Sequence, residues 1–230
     1  MKLHRLFAAV AGLALVGMTA LEQGKPTVAV LQFNNGATGK ANEELGPLSK
    51  GIQDILTNEL AANTGIRVVE RDQIQKVLDE NKLTVSGAVD AATAVKAGKL
   101  LGVHHMVTGG FITDRSGSMN LSVRVFNVET GEIEYTTSGM NKIDNLFVLV
   151  NSVAGKINKG LKLPDIPKQV GDAREKQAEK VPYQAVMLYS RALNAKDAGK
   201  TSEAVSLFKQ TLEKFPDYEA AKTELKKLGA

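Results

Sequence analysis

Residues 27–33, TVAVLQF, form an almost unbroken apolar run. A strand with one wet face alternates apolar and polar residues, whereas a continuous run suits a strand covered on both faces. The run therefore predicts a central strand. After the loop NNGATGK, residues Leu45, Leu48, Ile52, Ile55, Leu56 and Leu60 recur at spacings of three and four, which makes one apolar stripe on a helix that packs on the sheet. Pro47 is tolerated there because it falls in the first turn.

The same reading along the chain gives a short strand at residues 66–70 and then a helix opened by Arg71-Asp72. Asp72 and Gln75 stand at capping-box spacing, and Ile74, Val77 and Leu78 face inward. A small-residue helix over 90–101 is stopped by Gly102. The pattern then changes: residues 104–113, 120–128 and 132–137 are three consecutive strands with no helix between them. Leu121, Val123 and Val125 alternate with Ser122 and Arg124, as expected of an antiparallel meander with one buried face. Glu129-Thr130-Gly131 is a hairpin turn with Gly131 left-handed. Leu146, Leu149, Val150, Val153, Ile157 and Leu161 mark a further helix that ends near Pro164. The expectation is a mixed α/β fold: about five strands packed with helices, the meander in the second half, and an all-α hairpin following.

Residues 1–20 pair Lys2 and Arg5 with an apolar run over 6–16 and small residues up to Ala20, the pattern of a secretory signal peptide. That run is shorter than the ~20 residues of a spanning helix. With no cysteine in the chain, neither disulfides nor a lipid-modified cysteine is available. The expectation is an exported periplasmic protein that is not a lipoprotein and has no transmembrane segment in its mature form, with stability resting on packing. Without Lys2 and Arg5 the 29 basic residues fall to 27, against 25 acidic, a net charge of +2. The signs are interspersed and aromatics make up 5% of the chain, so a nucleic-acid footprint is missing.

Catalytic and cofactor chemistry finds little support. The loop from Gly36 to Lys40 ends in Gly-Lys, but a phosphate-binding loop would need Gly where Asn34 stands and Ser or Thr where Ala41 stands. His104 and His105 are adjacent in a strand, where successive side chains point to opposite faces, so they do not ligate one metal. Ser116 and Ser118 lack a nucleophile elbow and read as turn residues. The reading therefore assigns no enzyme activity, no catalytic residues, no cofactor and no metal.

The strand VAVLQFNN, the helix pair LSKGIQDILTNELAANTGIRVVERDQIQKVLDE, the step LLGVHHMVTGGFI and the hairpin LSVRVFNVETGEI resemble, in this order, the curli-secretion channel (CsgG-like) family. The same core is similar to the N-terminal domain of TolB and to flagellar outer-membrane assembly proteins. The resemblance covers residues 25 to about 161 and implies a non-enzymatic assembly or interaction module of the cell envelope. The family's channels carry an acylated cysteine and long amphipathic hairpins. This chain has no cysteine, and its connections, TDRSGSM and SGMNKID, are too short for membrane strands of about 9–11 residues. A secretion pore and a nucleotide hydrolase using the Gly36 to Lys40 loop are the alternatives.

The resulting division is a signal peptide at 1–20, a CsgG-like domain at 21–163, a charged and proline-containing linker or partly helical connector at 164–182 and a helical domain at 183–230. In the last, Gly199, Ala204, Phe208 and Pro216 fall at tetratricopeptide offsets, with Leu188 in place of the usual Trp and Ala192 at a small position. One repeat is too few for independent stability, so the hairpin is expected to dock on something. If it is an adaptor for an envelope protein, Tyr189, Arg191 and Lys196 are the exposed partner-binding candidates, suited to an acidic peptide. Self-association is expected through the α/β domain.

Overall fold

The structure is a computed structural model that describes residues 24–83 and 89–230; the expected signal peptide lies outside the described residues. Among the described residues the sheet has six strands. Its main path runs β3 (Arg67–Val68), β1 (Thr27–Val30), β4 (His105–Thr113), β5 (Ser118–Asn127) and β6 (Ile133–Lys142), and the short β2 (Asn34–Asn35) also pairs with β4. β1 is parallel to both β3 and β4, whereas β4, β5 and β6 form the antiparallel meander. The mixed α/β class follows from this change of pairing within one sheet.

β1 is buried on both faces, and a short helix, α1 (Lys40–Leu45), precedes the helices that cover it. Val28 and Val30 point toward α2 (Leu48–Ala61) and α5 (Leu146–Gly160), while Ala29 and Leu31 point toward α3 (Arg71–Glu80) and α4 (Ala91–Leu101). Each full burial of a Val or Leu side chain is worth about 1.5–3 kcal/mol. The hydrogen-bond ladder does not end with β1, because Leu31 N–H still donates to the Val107 carbonyl at 2.9 Å. On β5, Met119, Leu121, Val123 and Val125 face the α2/α5 side; after a register shift at Val125/Phe126, Phe126 packs on the α3/α4 side.

The expected turns appear with their glycines in the left-handed region: Gly102 after α4 at φ 64 and Gly131 in the hairpin at φ 77. α4 begins on Asp90, whose carboxylate accepts from Thr93 N–H at 2.8 Å. The capping box at the start of α3 does not form. Glu70 occupies the N-cap with no side-chain bond, and Asp72 lies inside the first turn, engaged elsewhere. β6 continues five residues beyond the expected end, because TTSGMNK carries little apolar signal yet pairs with residues 118–124 of β5.

β4 and β5 meet in a tight turn, where the Asp114 carboxylate accepts from the backbone N–H groups of Ser116 and Ser118. Ser116 is thus a turn residue, and Ser118 opens β5. β6 passes through a 3-10 turn, Ile143–Asn145, directly into α5. Neither connection holds inserted strands. Among the described residues no helix is long and apolar enough to cross a membrane.

The segment expected to be a linker or a partly helical connector is the latter: it contains α6 (Lys168–Ala178), with Ala178 and Val181 buried. Beyond it, α7 (Tyr183–Asp197) and α8 (Thr201–Lys214) form the hairpin, broken by Gly199 at φ 72, and α9 (Glu219–Lys227) follows Pro216. These helices do not form a separate core. Val186, Tyr189, Leu193, Phe208 and Tyr218 belong to the same apolar cluster as Leu56 and Leu149. The hairpin docks on its own chain.

Candidate functional site

α7 reaches α2 through a missing side chain. A Cβ added at Gly51 would lie 1.8 Å from Ser190 Oγ and 2.8 Å from Ser190 Cβ, so the crossing exists only because residue 51 is glycine. Ser190 is fully buried and turns its hydroxyl back onto the Val186 carbonyl at 2.7 Å, which satisfies the donor without reaching α2. α2 is consequently buried on nearly all sides. Polar residues that would suit a wet face, among them Gln53, Asp54 and Glu59, become interior groups that need partners.

They find them across the junction. Gln53 donates to the Val30 carbonyl at 2.8 Å. Tyr189 donates its hydroxyl to Asp54 Oδ2 at 2.6 Å. Glu59 accepts from Asn151 of α5 at 2.6 Å and from Arg174 of α6 at 2.9 Å. At the C-terminal end of α7, the Asp197 carboxylate receives Arg71 Nη1 and Lys50 Nζ, both at 2.7 Å. Lys196 bridges Asp72 of α3 at 2.8 Å and Glu224 of α9 at 2.5 Å. Arg71, 4% exposed, also donates to Asp72 at 2.9 Å. One ionic network thus ties α2, α3, α7 and α9 together.

Between these helices, α5 and α6 lies a cleft of about 580 Å³. That size is within the ~300–1,000 Å³ of small-molecule sites. Its wall combines Asp54, Glu59 and Arg71 with the rings of Phe147, Tyr189 and Tyr218. Burial pushes the Asp54 and Glu59 carboxyls above their ordinary range, although Tyr189 and Arg71 pull the first back and Arg174 and Asn151 the second. Burial opposes the charge on Arg71 as well, but Asp197, Asp54 and Asp72 hold its guanidinium above the usual value. Burial, followed by the neighbouring Asp54 charge, keeps the phenols of Tyr189 and Tyr218 protonated. The Asp72 carboxyl is partly desolvated, yet Lys196 and Arg71 hold it below its ordinary value.

The three partner-binding candidates meet different fates. Arg191 is exposed on α7. Tyr189, expected on the surface, is 1% exposed, with its ring centroid 5.6 Å from that of Phe208 and 5.0 Å from that of Tyr218. The Lys196 side chain is 17% exposed and occupied by two carboxylates. The hairpin face that would be concave and open in a repeat array is filled here by α2. Asp54, Glu59, Arg71, Tyr218 and Glu224 were not singled out by the sequence. Polar residues interrupting the stripe of α2 were the available signal.

The remaining candidate positions are engaged locally. In the Gly36 to Lys40 loop, Gly36 N–H donates to the Phe111 carbonyl and Ala37 N–H to Asn35 Oδ1, so these amides are not turned toward a phosphate. Lys40 is highly exposed and pairs with Glu44 one turn on. His104 Nδ1 meets the backbone N–H and hydroxyl of Thr27, whereas His105 Nδ1 meets Glu134. Among the described residues no group of three or more His, Cys, Asp or Glu is arranged to hold a metal ion.

Residues 11–114 match the model of a family described as curli production assembly/transport component CsgG. The match ends at Asp114, the residue after β4. Asp54, Glu59 and Arg71 therefore lie inside it, and Tyr189, Tyr218 and Glu224 outside. Among solved structures, the C-terminal domain of LpoB from Salmonella enterica is similar at 17% identity and a TM-score of 0.39, over 51% of this chain and 83% of that one. A PelC dodecamer from Paraburkholderia phytofirmans is similar at 13% identity and a TM-score of 0.39, over 62% and 90%. TolB from Acinetobacter baumannii is similar at 14% identity and a TM-score of 0.39, over 60% and 28%. No curated protein sequence matches the chain.

Proposed function

Because this chain carries a CsgG-like domain, we propose that it is a non-enzymatic assembly and interaction module of the bacterial cell envelope, exported to the periplasm. The family match carries this reading. The export-signal pattern at 1–20 and the locally engaged Gly36 to Lys40 loop and histidines support it. The alternative of a pore is disfavoured by the tight β4–β5 turn and the direct passage from β6 to α5.

Self-association runs through the α/β unit. β6 is the last strand of the sheet path, and an edge strand presents unpaired backbone groups to a second chain. It carries Ile133 and Met140, 50% and 69% exposed. Partner contact by the tetratricopeptide-like helices uses the surface left after docking, on which Arg191 is retained. Tyr189 and Lys196 are committed to the junction.

Crosslinking and mass spectrometry in the native envelope, together with the mass of the purified chain in solution, test the reading. Crosslinks from the α/β unit to an envelope protein or to a second copy are expected. A monomeric mass combined with no protein crosslink would overturn it.

A further inference from the structure

We propose that α6 is a releasable strap across a groove of the helical layer, with Arg174 and Glu59 as its clasp. Both ends of the segment that carries it are fixed. At the first, Asn63 donates to the Pro164 carbonyl at 2.7 Å, and a Cβ on Gly65 would meet Pro164 Cβ at 2.5 Å. At the second, Val181 is buried just ahead of Pro182. Prolines at 164, 167 and 182 restrict the backbone on either side of the helix, so motion of α6 is confined to the span between two stiff ends.

The middle is held lightly. Ala178, in the last turn, is the one buried side chain among the described residues of α6, and Val170 is 40% exposed. Among the described residues, Arg174 supplies the side-chain hydrogen bonds that tie α6 down: Nη1 donates to Glu59 Oε1 at 2.9 Å and Nη2 to the Asn58 carbonyl at 3.2 Å. A helix that removes so little apolar area from water gains little by docking and belongs to the easily opened part of a fold. The clasp itself is nearly balanced. Burial of Glu59 opposes what Arg174 and Asn151 contribute, and leaves its carboxyl above the ordinary range.

Space lies on both sides of the clasp. The cleft of about 580 Å³ is on one side, and a second of about 480 Å³, between α5 and α6, is on the other. Glu59 and Arg174 belong to the walls of both, so the pair is the partition between them. Gln177 and Val181 close the first cleft, and Gly171 and Ala178 the second. Protein interiors carry few voids larger than a water molecule, so a helix flanked by two such spaces has room to move. Lifting α6 joins the two clefts into one groove along α2 and α5 and uncovers Ala154, which is 2% exposed. The strap thereby controls access to that groove.

The chain has no cysteine, so a single introduced thiol reports opening at one place. Ala154→Cys puts that thiol under α6, and Ala97→Cys puts a control on α4, fully buried on the other face of the sheet. With Arg174→Ala added, a soluble thiol reagent is expected to label the Ala154→Cys protein about tenfold faster or more, as the loss of hydrogen bonds from a charged group implies. Labelling of the Ala97→Cys protein is expected to stay unchanged. Arg174→Lys, which keeps the charge without the two-armed fork, is expected to fall between. Hydrogen exchange should show the α6 amides opening faster than those of α5 in the unaltered chain, and faster again in Arg174→Ala while α5 keeps its protection. Equal exchange of α6 and α5 in the unaltered chain, unchanged labelling under α6 in folded Arg174→Ala, or equal acceleration at both thiols would overturn the proposal.

Discussion

Helices are attached to this sheet in two ways. On one face, α3 and α4 meet the strands through Ile74, Leu78, Ala94, Ala97, Met106 and Phe126, an apolar patch with no charged member. On the other, α7 and α9 share an apolar cluster with Leu56 and Leu149 and add an ionic network to α2 and α3 through Asp54, Arg71, Lys196, Asp197 and Glu224, with Arg71 Nε and Tyr218 Oη left unpartnered among the described residues. Both attachments use a helix glycine at the closest approach: a Cβ on Gly98 would meet Val128 Cγ2 at 2.5 Å, and one on Gly51 would meet Ser190 Oγ at 1.8 Å. The apolar attachment draws on area removed from water and has no pH dependence of its own. In the ionic attachment, desolvation and Coulomb attraction nearly cancel. It fixes orientation, and it is the part of the molecule that proton concentration tunes.

The largest effect that separates the two is expected from Arg71→Ala, which leaves Asp54 without its buried counter-charge and Asp197 with Lys50 alone. A loss of ~3–5 kcal/mol is expected. Hydrogen exchange should place it in α7 to α9 while the amides of β1 and β4 keep their protection. Uniform loss of protection across sheet and tail would show that the two attachments are one cooperative unit. Phe208→Ala removes a fully buried ring from the tail core and is expected to lower stability by ~3–5 kcal/mol as well, read by denaturant unfolding. If Phe208→Ala unfolds the whole chain in one transition while Ile74→Ala does not, the tail is the stronger attachment and the comparison reverses.

A smaller effect is expected from Gly51→Ala. Alanine favours a helix by about 1 kcal/mol over glycine, but the clash with Ser190 overpacks the crossing by ~1–3 kcal/mol. Net destabilisation with faster proteolysis within α7 to α9 is the expected result, and pairing it with Ser190→Gly should restore part of the loss. A stabilised Gly51→Ala protein would mean that the crossing is looser than its geometry.

The smallest effect is a slope with pH. The folded-state carboxyls of Asp54 and Glu59 lie above their ordinary values of 3.8 and 4.5, so the folded protein takes up protons more readily than the unfolded chain, and their contribution improves as pH falls through the raised values. Asp72 behaves in the opposite way: it is held below its ordinary value, and its contribution is lost only as pH falls below 3.8. The groups facing Asp54 are Arg71, Tyr189, Tyr218, Glu224 and Lys227. Unfolding midpoints are therefore expected to rise from neutral pH toward mild acid, then fall below 3.8. Asp54→Asn should flatten the rise. A midpoint that falls steadily from pH 7 would sink this account.

Much of the α/β unit was legible in the chain. The almost unbroken run at 27–33 required cover on two faces, which Val28 to Leu31 have, and the alternation at 121–125 sorted Leu121, Val123 and Val125 to the buried side. Gly102, Gly131 and Gly199 marked stops and turns because a positive φ is a local requirement. These are properties of neighbouring residues, set by periods of two and 3.6 and by backbone sterics. The junction is different. The spacing of Tyr189 on α7 states which residues share its face, but not what that face meets, and its partner Asp54 stands 135 residues away. Gly51 reads as a weak helix residue until Ser190 is placed against it. Asp72 reads as a cap until Lys196 arrives from α7. The sequence by itself determined most elements of the α/β unit, the stops marked by glycine and the sidedness of the sheet. The closure of the C-terminal helices onto α2, the burial of Tyr189 and the acidic cleft were decided by tertiary structure, because desolvation and charge pairing depend on groups brought together only when the chain closes on itself.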